Sequence, residues 1–142
     1  MDRRIATSFI VGSMLALLVG CAKDEGPLYI PKPVDPSEPI DTAYFNTEVV
    51  PIFIQHCWNC HPDMAALDLG ETEAYANLVN VTSSNHAPAI RVVPGDLDAS
   101  VLWHKVSGSD TYGLNMPPNG TFLSAQEVQT IHDWIEQGAL NN

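Results

Sequence analysis

Cys57-Trp58-Asn59-Cys60-His61 constrains this chain of 142 residues more than any other run in it. Two cysteines three apart reach the two vinyl groups on one edge of a porphyrin and close a thioether with each. The next residue, His61, then stands where it ligates the iron from the proximal side. Other chemistries fit the spacing less well. A thioredoxin-type pair needs a βαβ setting, and the sequence offers none. A zinc site wants four nitrogen or sulfur ligands, usually with a second ligand pair. A disulfide between Cys57 and Cys60 would close only a tiny loop. The run therefore reads as the attachment site of one covalent haem c, with Cys57 and Cys60 as thioethers and His61 as iron ligand.

The third cysteine, Cys21, belongs to a different segment. Residues 1–20 read as a signal peptide. Arg3 and Arg4 give it a positive start, Ile5 to Val19 is apolar except for Thr7, Ser8 and Ser13, and Gly20 precedes Cys21. The run falls short of the ~20 apolar residues that a transmembrane helix needs. Leu18-Val19-Gly20-Cys21 resembles a bacterial lipoprotein cleavage box, which implies lipidation of Cys21 and loss of residues 1–20. Several acyl chains on one residue anchor durably, where a single chain is marginal. Ala22 after the cysteine fits outer-membrane sorting, and Lys23-Asp24-Glu25 resembles a surface-export signal. The expected location is thus a bacterial membrane, on the periplasmic face or the cell surface.

Residues 21–41 are the lipidated cysteine and a linker. Pro27, Pro31, Pro33, Pro36 and Pro39 forbid a regular helix or central strand there. An extended spacer of ~3.1 Å per residue would hold the C-terminal hundred or so residues up to ~60 Å from the membrane. The whole chain carries 17 acids and 6 bases, net −11. Removing residues 1–20 takes one acid (Asp2) and two bases (Arg3, Arg4), leaving 16 against 4, net −12. Such a balance excludes a nucleic-acid binder, which would cluster Lys and Arg. It suits attraction of a partner with a basic patch. An apolar content of 45% argues against wholesale disorder.

Residues 42–142 form the domain. Phe45, Val49, Ile52, Phe53 and Cys57 fall at helical spacing across Tyr44–His56, with Pro51 marking a kink or a new first turn. Glu71–Val79 is a short helix candidate. Asp96 or Asp98 is expected to cap another helix that runs to about Val106. Ser124-x-x-Glu127 is a capping box opening a last helix, whose apolar face is Val128, Ile131, Trp134 and Ile135. Gly138 marks its end. No period-2 strand pattern or internal repeat is present. The fold class is all-α, four or so short helices around one haem. So thin a core commonly needs a staple or a cofactor.

From residue 44 onward the chain resembles a monohaem class I-type cytochrome c domain of the kind found in bacterial lipoproteins and planctomycete-type cytochrome modules. The resemblance rests on Glu48-Val49-Val50-Pro51-Ile52 ahead of the Cys57–His61 run, then Val93-Pro94-Gly95-Asp96, Ser100-Val101-Leu102, Met116-Pro117-Pro118, Leu123-Ser124 and Trp134-Ile135-Glu136-Gln137-Gly138-Ala139. Pro62 departs from the glycine that the family often has after its histidine.

The resemblance implies Met116 as distal iron ligand, and the local sequence agrees. Asn115-Met116-Pro117-Pro118-Asn119-Gly120 cannot be helix or strand, and proline-stiffened backbone would hold the sulfur near its bonding position. Met64, His86, His104 and His132 are the rivals. Met64 stands too close to His61 to reach the opposite face. His132 reads as solvated on the polar side of the last helix, His104 as a packed or surface residue, His86 as part of a polar loop. His56 is expected to cap its helix or face solvent. Trp134 is expected to pack on the Phe45/Val49 face, while Trp58 is either exposed or in haem contact. Phe53, Trp103 and Tyr112 line the haem or fill the core. The implied function is that of a membrane-tethered carrier of single electrons between redox proteins, and not an enzyme. The alternatives are a peroxidase- or reductase-like haem subunit, or a sensor with a displaceable distal ligand.

Overall fold

The computed structural model describes residues 41–118 and 120–142. The segment read as a signal peptide, the Cys21 lipidation expectation and the expected linker up to residue 40 lie outside these residues. Four α-helices follow one another: α1 Val50–His56, α2 Ala74–Leu78, α3 Val101–Val106 and α4 Ala125–Glu136. Among the described residues no strand forms. Isolated bridges such as Val79–Val92 and Ile90–Ser100 tie the loops instead. The small all-α architecture expected from the sequence is the one observed.

Pro51 opens a new helix rather than kinking an old one. A wide π-turn over Phe45–Val49 runs straight into α1, and the proline falls in the first turn, where its missing N–H costs nothing. The π-turn is visible in Tyr44, whose carbonyl accepts from both Glu48 N (3.0 Å) and Val49 N (3.3 Å). α2 is shorter than expected at both ends. The Gly70 carbonyl takes N–H donors from Glu73 and Ala74, which spends the first turn as a loop, and Val79 is already extended. α3 is capped by neither Asp96 nor Asp98. Its N-cap is Ser100, and the Asp96 carboxylate instead accepts from Ala99 N (2.9 Å) in the preceding turn.

α4 follows the sequence closely. Ser124 Oγ accepts from Glu127 N, and the Glu127 carboxylate accepts from Ser124 N, so the capping box is complete. At the other end Gly138 N bonds Ile135 O and Ala139 N bonds Trp134 O, the Schellman pattern. Gly138 has φ +101°, a conformation that favours glycine. Val128, Ile131, Trp134 and Ile135 are all buried. Trp134 lies against Phe45 with ring centroids 4.9 Å apart, and Phe45 in turn meets Tyr75 and Phe53 edge-on. The cluster formed by the π-turn, α1 and α4 holds most of the core, each large side chain contributing about 1.5–3 kcal/mol by burial.

Two histidines are not where the sequence suggested. His132 is buried, packed edge-on to Trp103 and bonded to Asp133 Oδ1 at 2.9 Å. Its position four residues after Val128 sets it on the flank of the apolar stripe rather than opposite it. His56 neither caps its helix nor faces solvent. It sits four residues after Ile52 and three after Phe53, on the side turned toward α4, where Nε2 donates to Glu127 Oε1 at 2.8 Å.

Candidate haem site

Past its last full turn α1 continues as a chain of turns that carries the motif. Cys57 N and Trp58 N both bond Phe53 O, and Cys60 N and His61 N both bond Cys57 O. Cys60 and His61 thereby stand about one helical turn beyond Cys57, on a common side. All three line one cavity of about 560 Å³. Leu69, Leu78, Val101, Leu102 and Val106 supply apolar wall. The cavity falls within the ~300–1,000 Å³ typical of small-molecule sites.

Cys57 is half-buried, and burial pushes its thiol up to about 11, helped by the charges of Cys60 and Glu127. Among the described residues no strand forms to give the pair a βαβ setting, and no third His, Cys, Asp or Glu gathers with both cysteines as a zinc site would need. Both cysteines are free thiols in this structure.

His61 Nδ1 lies 3.0 Å from the Met64 carbonyl. A carbonyl oxygen only accepts, so Nδ1 carries a proton, and in the neutral ring the lone pair is left on Nε2. Pinning one ring nitrogen this way is how proteins fix the tautomer and the orientation of a metal-binding histidine. The carbonyl belongs to a turn at Met64–Ala66, three residues downstream.

Met116 lines the same cavity, as do Pro117, Met64, His56 and His86. His104 and His132 do not. His104 has both ring nitrogens engaged, Nε2 with Asp98 O and Nδ1 with Ser109 Oγ, each at 2.9 Å. Of the rivals to Met116 the cavity therefore keeps His86 and Met64. The His86 ring centroid lies 5.1 Å from that of Tyr112, and Met64 is largely exposed on the turn that fixes His61. Trp58 is 47% exposed and is absent from the cavity wall.

Two residues at the cavity were not singled out from the sequence: Arg91 and Lys105. They are the only Lys or Arg residues after Lys32. Arg91 is buried, with one guanidinium nitrogen donating to Asn77 O (2.8 Å) and another to Ala66 O (2.8 Å) and Ser84 Oγ (3.0 Å). Its pKa is lowered by burial. Lys105 Nζ donates to Tyr112 O and Leu114 O. Neither cation meets a carboxylate among the described residues. Their scarcity in an acidic sequence was the one signal that would have found them.

No protein-family model matches the chain, and no curated protein matches it. Among solved structures it is similar to a chain of Kuenenia stuttgartiensis hydrazine synthase, at 20% sequence identity and a TM-score of 0.49. The similarity covers 68% of this chain and 16% of that one.

Proposed function

We propose that residues 42–142 form a monohaem c-type cytochrome domain that carries single electrons. The observation that carries the reading is the convergence of Cys57, Cys60, His61 and Met116 on one apolar cavity, with His61 held in the tautomer that frees Nε2. The donor set fits the group. Cys57 and Cys60 would hold a haem by thioethers, His61 Nε2 would take one face of the iron, and the Met116 sulfur the other. Arg91, a buried cation with no carboxylate partner among the described residues, suits the propionate edge. When bound, the haem supplies a ferric/ferrous couple, with the potential raised by His/Met ligation. The chain's part is to exclude water with Leu69, Leu78, Val101 and Leu102, and to keep both ligands in place so that little has to move on electron transfer.

The rest of the reading comes from the sequence. Lipid on Cys21 and the proline-rich spacer would tether the domain to a bacterial membrane, restricting its search for partners and raising their effective concentration. No helix among the described residues is long and apolar enough to cross a membrane. A net charge of −12 after processing would draw redox partners with basic docking patches, with steep salt dependence. One observation favours a second reading, a haem enzyme or gas sensor: His86 lines the same cavity and could serve a displaceable distal side. Carbon monoxide added to the reduced holoprotein at neutral pH separates the two. A carrier with both axial positions filled resists it, whereas an enzyme or sensor binds it readily.

A further inference from the structure

We propose that Lys105 is the positioning residue for the distal ligand. This rests on the reading of Met116 as that ligand. Residues 112–116 form a strap with few apolar contacts of its own: Leu114 is 77% exposed, Met116 is half-buried, and Tyr112, also half-buried, meets the rings of His86 and His104. Lys105, in the last turn of α3, holds it at every second residue. Its ammonium donates to Tyr112 O at 2.6 Å and to Leu114 O at 3.1 Å. Its own carbonyl, which α3 leaves unused at its end, accepts from Met116 N at 2.7 Å. Three bonds from one residue thus bracket the ligand's backbone. The geometry asks for glycine between the two ammonium-bound carbonyls. Gly113 has φ +81° and ψ −149°, and nothing lies within 4 Å of where a Cβ would stand, so its requirement is one of backbone alone.

A point charge with rotatable donors suits this task, since carbonyls two residues apart need no fixed fork. Hydrogen bonds to a charged group are the stronger ones, so losing two of them should raise the opening of the strap about tenfold or more. Opening frees the iron's distal side without unfolding α1 or α4, whose contacts lie elsewhere.

The test compares the full-length holoprotein with Lys105→Met, Lys105→Arg, Gly113→Ala and Met116→Ala. The methionine–iron charge-transfer band, the reduction potential and carbon monoxide uptake are read, the band also beside far-ultraviolet circular dichroism during heating. Lys105→Met should keep the wild-type band in the cold, lose it well before the helices melt, and take up carbon monoxide about tenfold faster. Lys105→Arg should restore much of this, and Gly113→Ala should give the same signature more weakly with the cavity charge untouched. If the band of Lys105→Met survives until the helices melt, Lys105 is not a positioning residue. A shifted potential with unchanged band and uptake would likewise overturn the proposal, leaving Lys105 as a charge only. Failure of the Met116 reading looks different: Met116→Ala would then match the wild type.

Discussion

The two sides of the cavity are built in opposite ways. On the Cys57–His61 side, the π-turn, α1 and α4 bury Phe45, Phe53, Ile131, Trp134 and Ile135 against one another, and the motif turns grow directly out of the end of α1. On the Met116 side, α3 is short and the strap hangs from it by hydrogen bonds, beside exposed Leu114 and Phe122. Apolar packing is cooperative, so one side stands or falls with the domain. Hydrogen bonds to a strap are local, so the other side can open while the domain stays folded. A site of this form keeps the Cys57–His61 side fixed and leaves the Met116 side adjustable.

Substitutions on either side probe that contrast. Trp134→Ala removes the largest side chain of the buried face and should cost about 3–5 kcal/mol, enough to abolish a cooperative thermal transition in so small a domain. A preserved melt would show that the α1–α4 cluster is not the anchor. Arg91→Met strips the charged donors from the carbonyls of Ala66 and Asn77 and from Ser84, three segments that close the cavity. The expected loss is about 3 kcal/mol in denaturant titration, with Arg91→Lys recovering only part of it.

Glu127 gives a smaller effect with a definite pH signature. Burial alone would raise its carboxyl, but the Ser124 N–H, the Ser124 hydroxyl and His56 outweigh burial and hold it below the ordinary value. A depressed carboxyl stabilises the fold above its ordinary pKa, and that stability is lost as pH falls through the lower folded value. Glu127→Gln should therefore cost about 1 kcal/mol at neutral pH, through the cap and the hydrogen bond from His56, and should flatten the fall of melting temperature below pH 4.5. An unchanged acid limb would show that Glu127 contributes nothing to acid stability. Met116→Ala should move the melting temperature least while changing the spectrum most, which is the contrast between the two sides in one variant.

How much of this the sequence disclosed depends on the range of the contacts. Cys57, Cys60 and His61 act through spacings of three and four residues, and Ser124–Glu127 through three, so both motifs are visible in one line of text. Trp134 against Phe45 was legible because each lies on an apolar stripe at helical spacing. The α2 boundary was missed because the carbonyl of Gly70, a loop residue, captures the first two helical N–H groups. His56 and His132 were misplaced because a polar side chain on the flank of an apolar face finds a carboxylate there, Glu127 or Asp133, and turns away from solvent toward it. Arg91 and Lys105 left almost no pattern, since they bind main-chain carbonyls, and a carbonyl partner has no residue type to recognise.

A haem held between His61 and Met116 stands or falls on the oxidised spectrum of the full chain, matured with haem-attachment machinery, beside that of Met116→Ala. A methionine–iron charge-transfer band in the first that is missing from the second is the expected result. A matured protein without that band, or a band that survives in Met116→Ala, would contradict it.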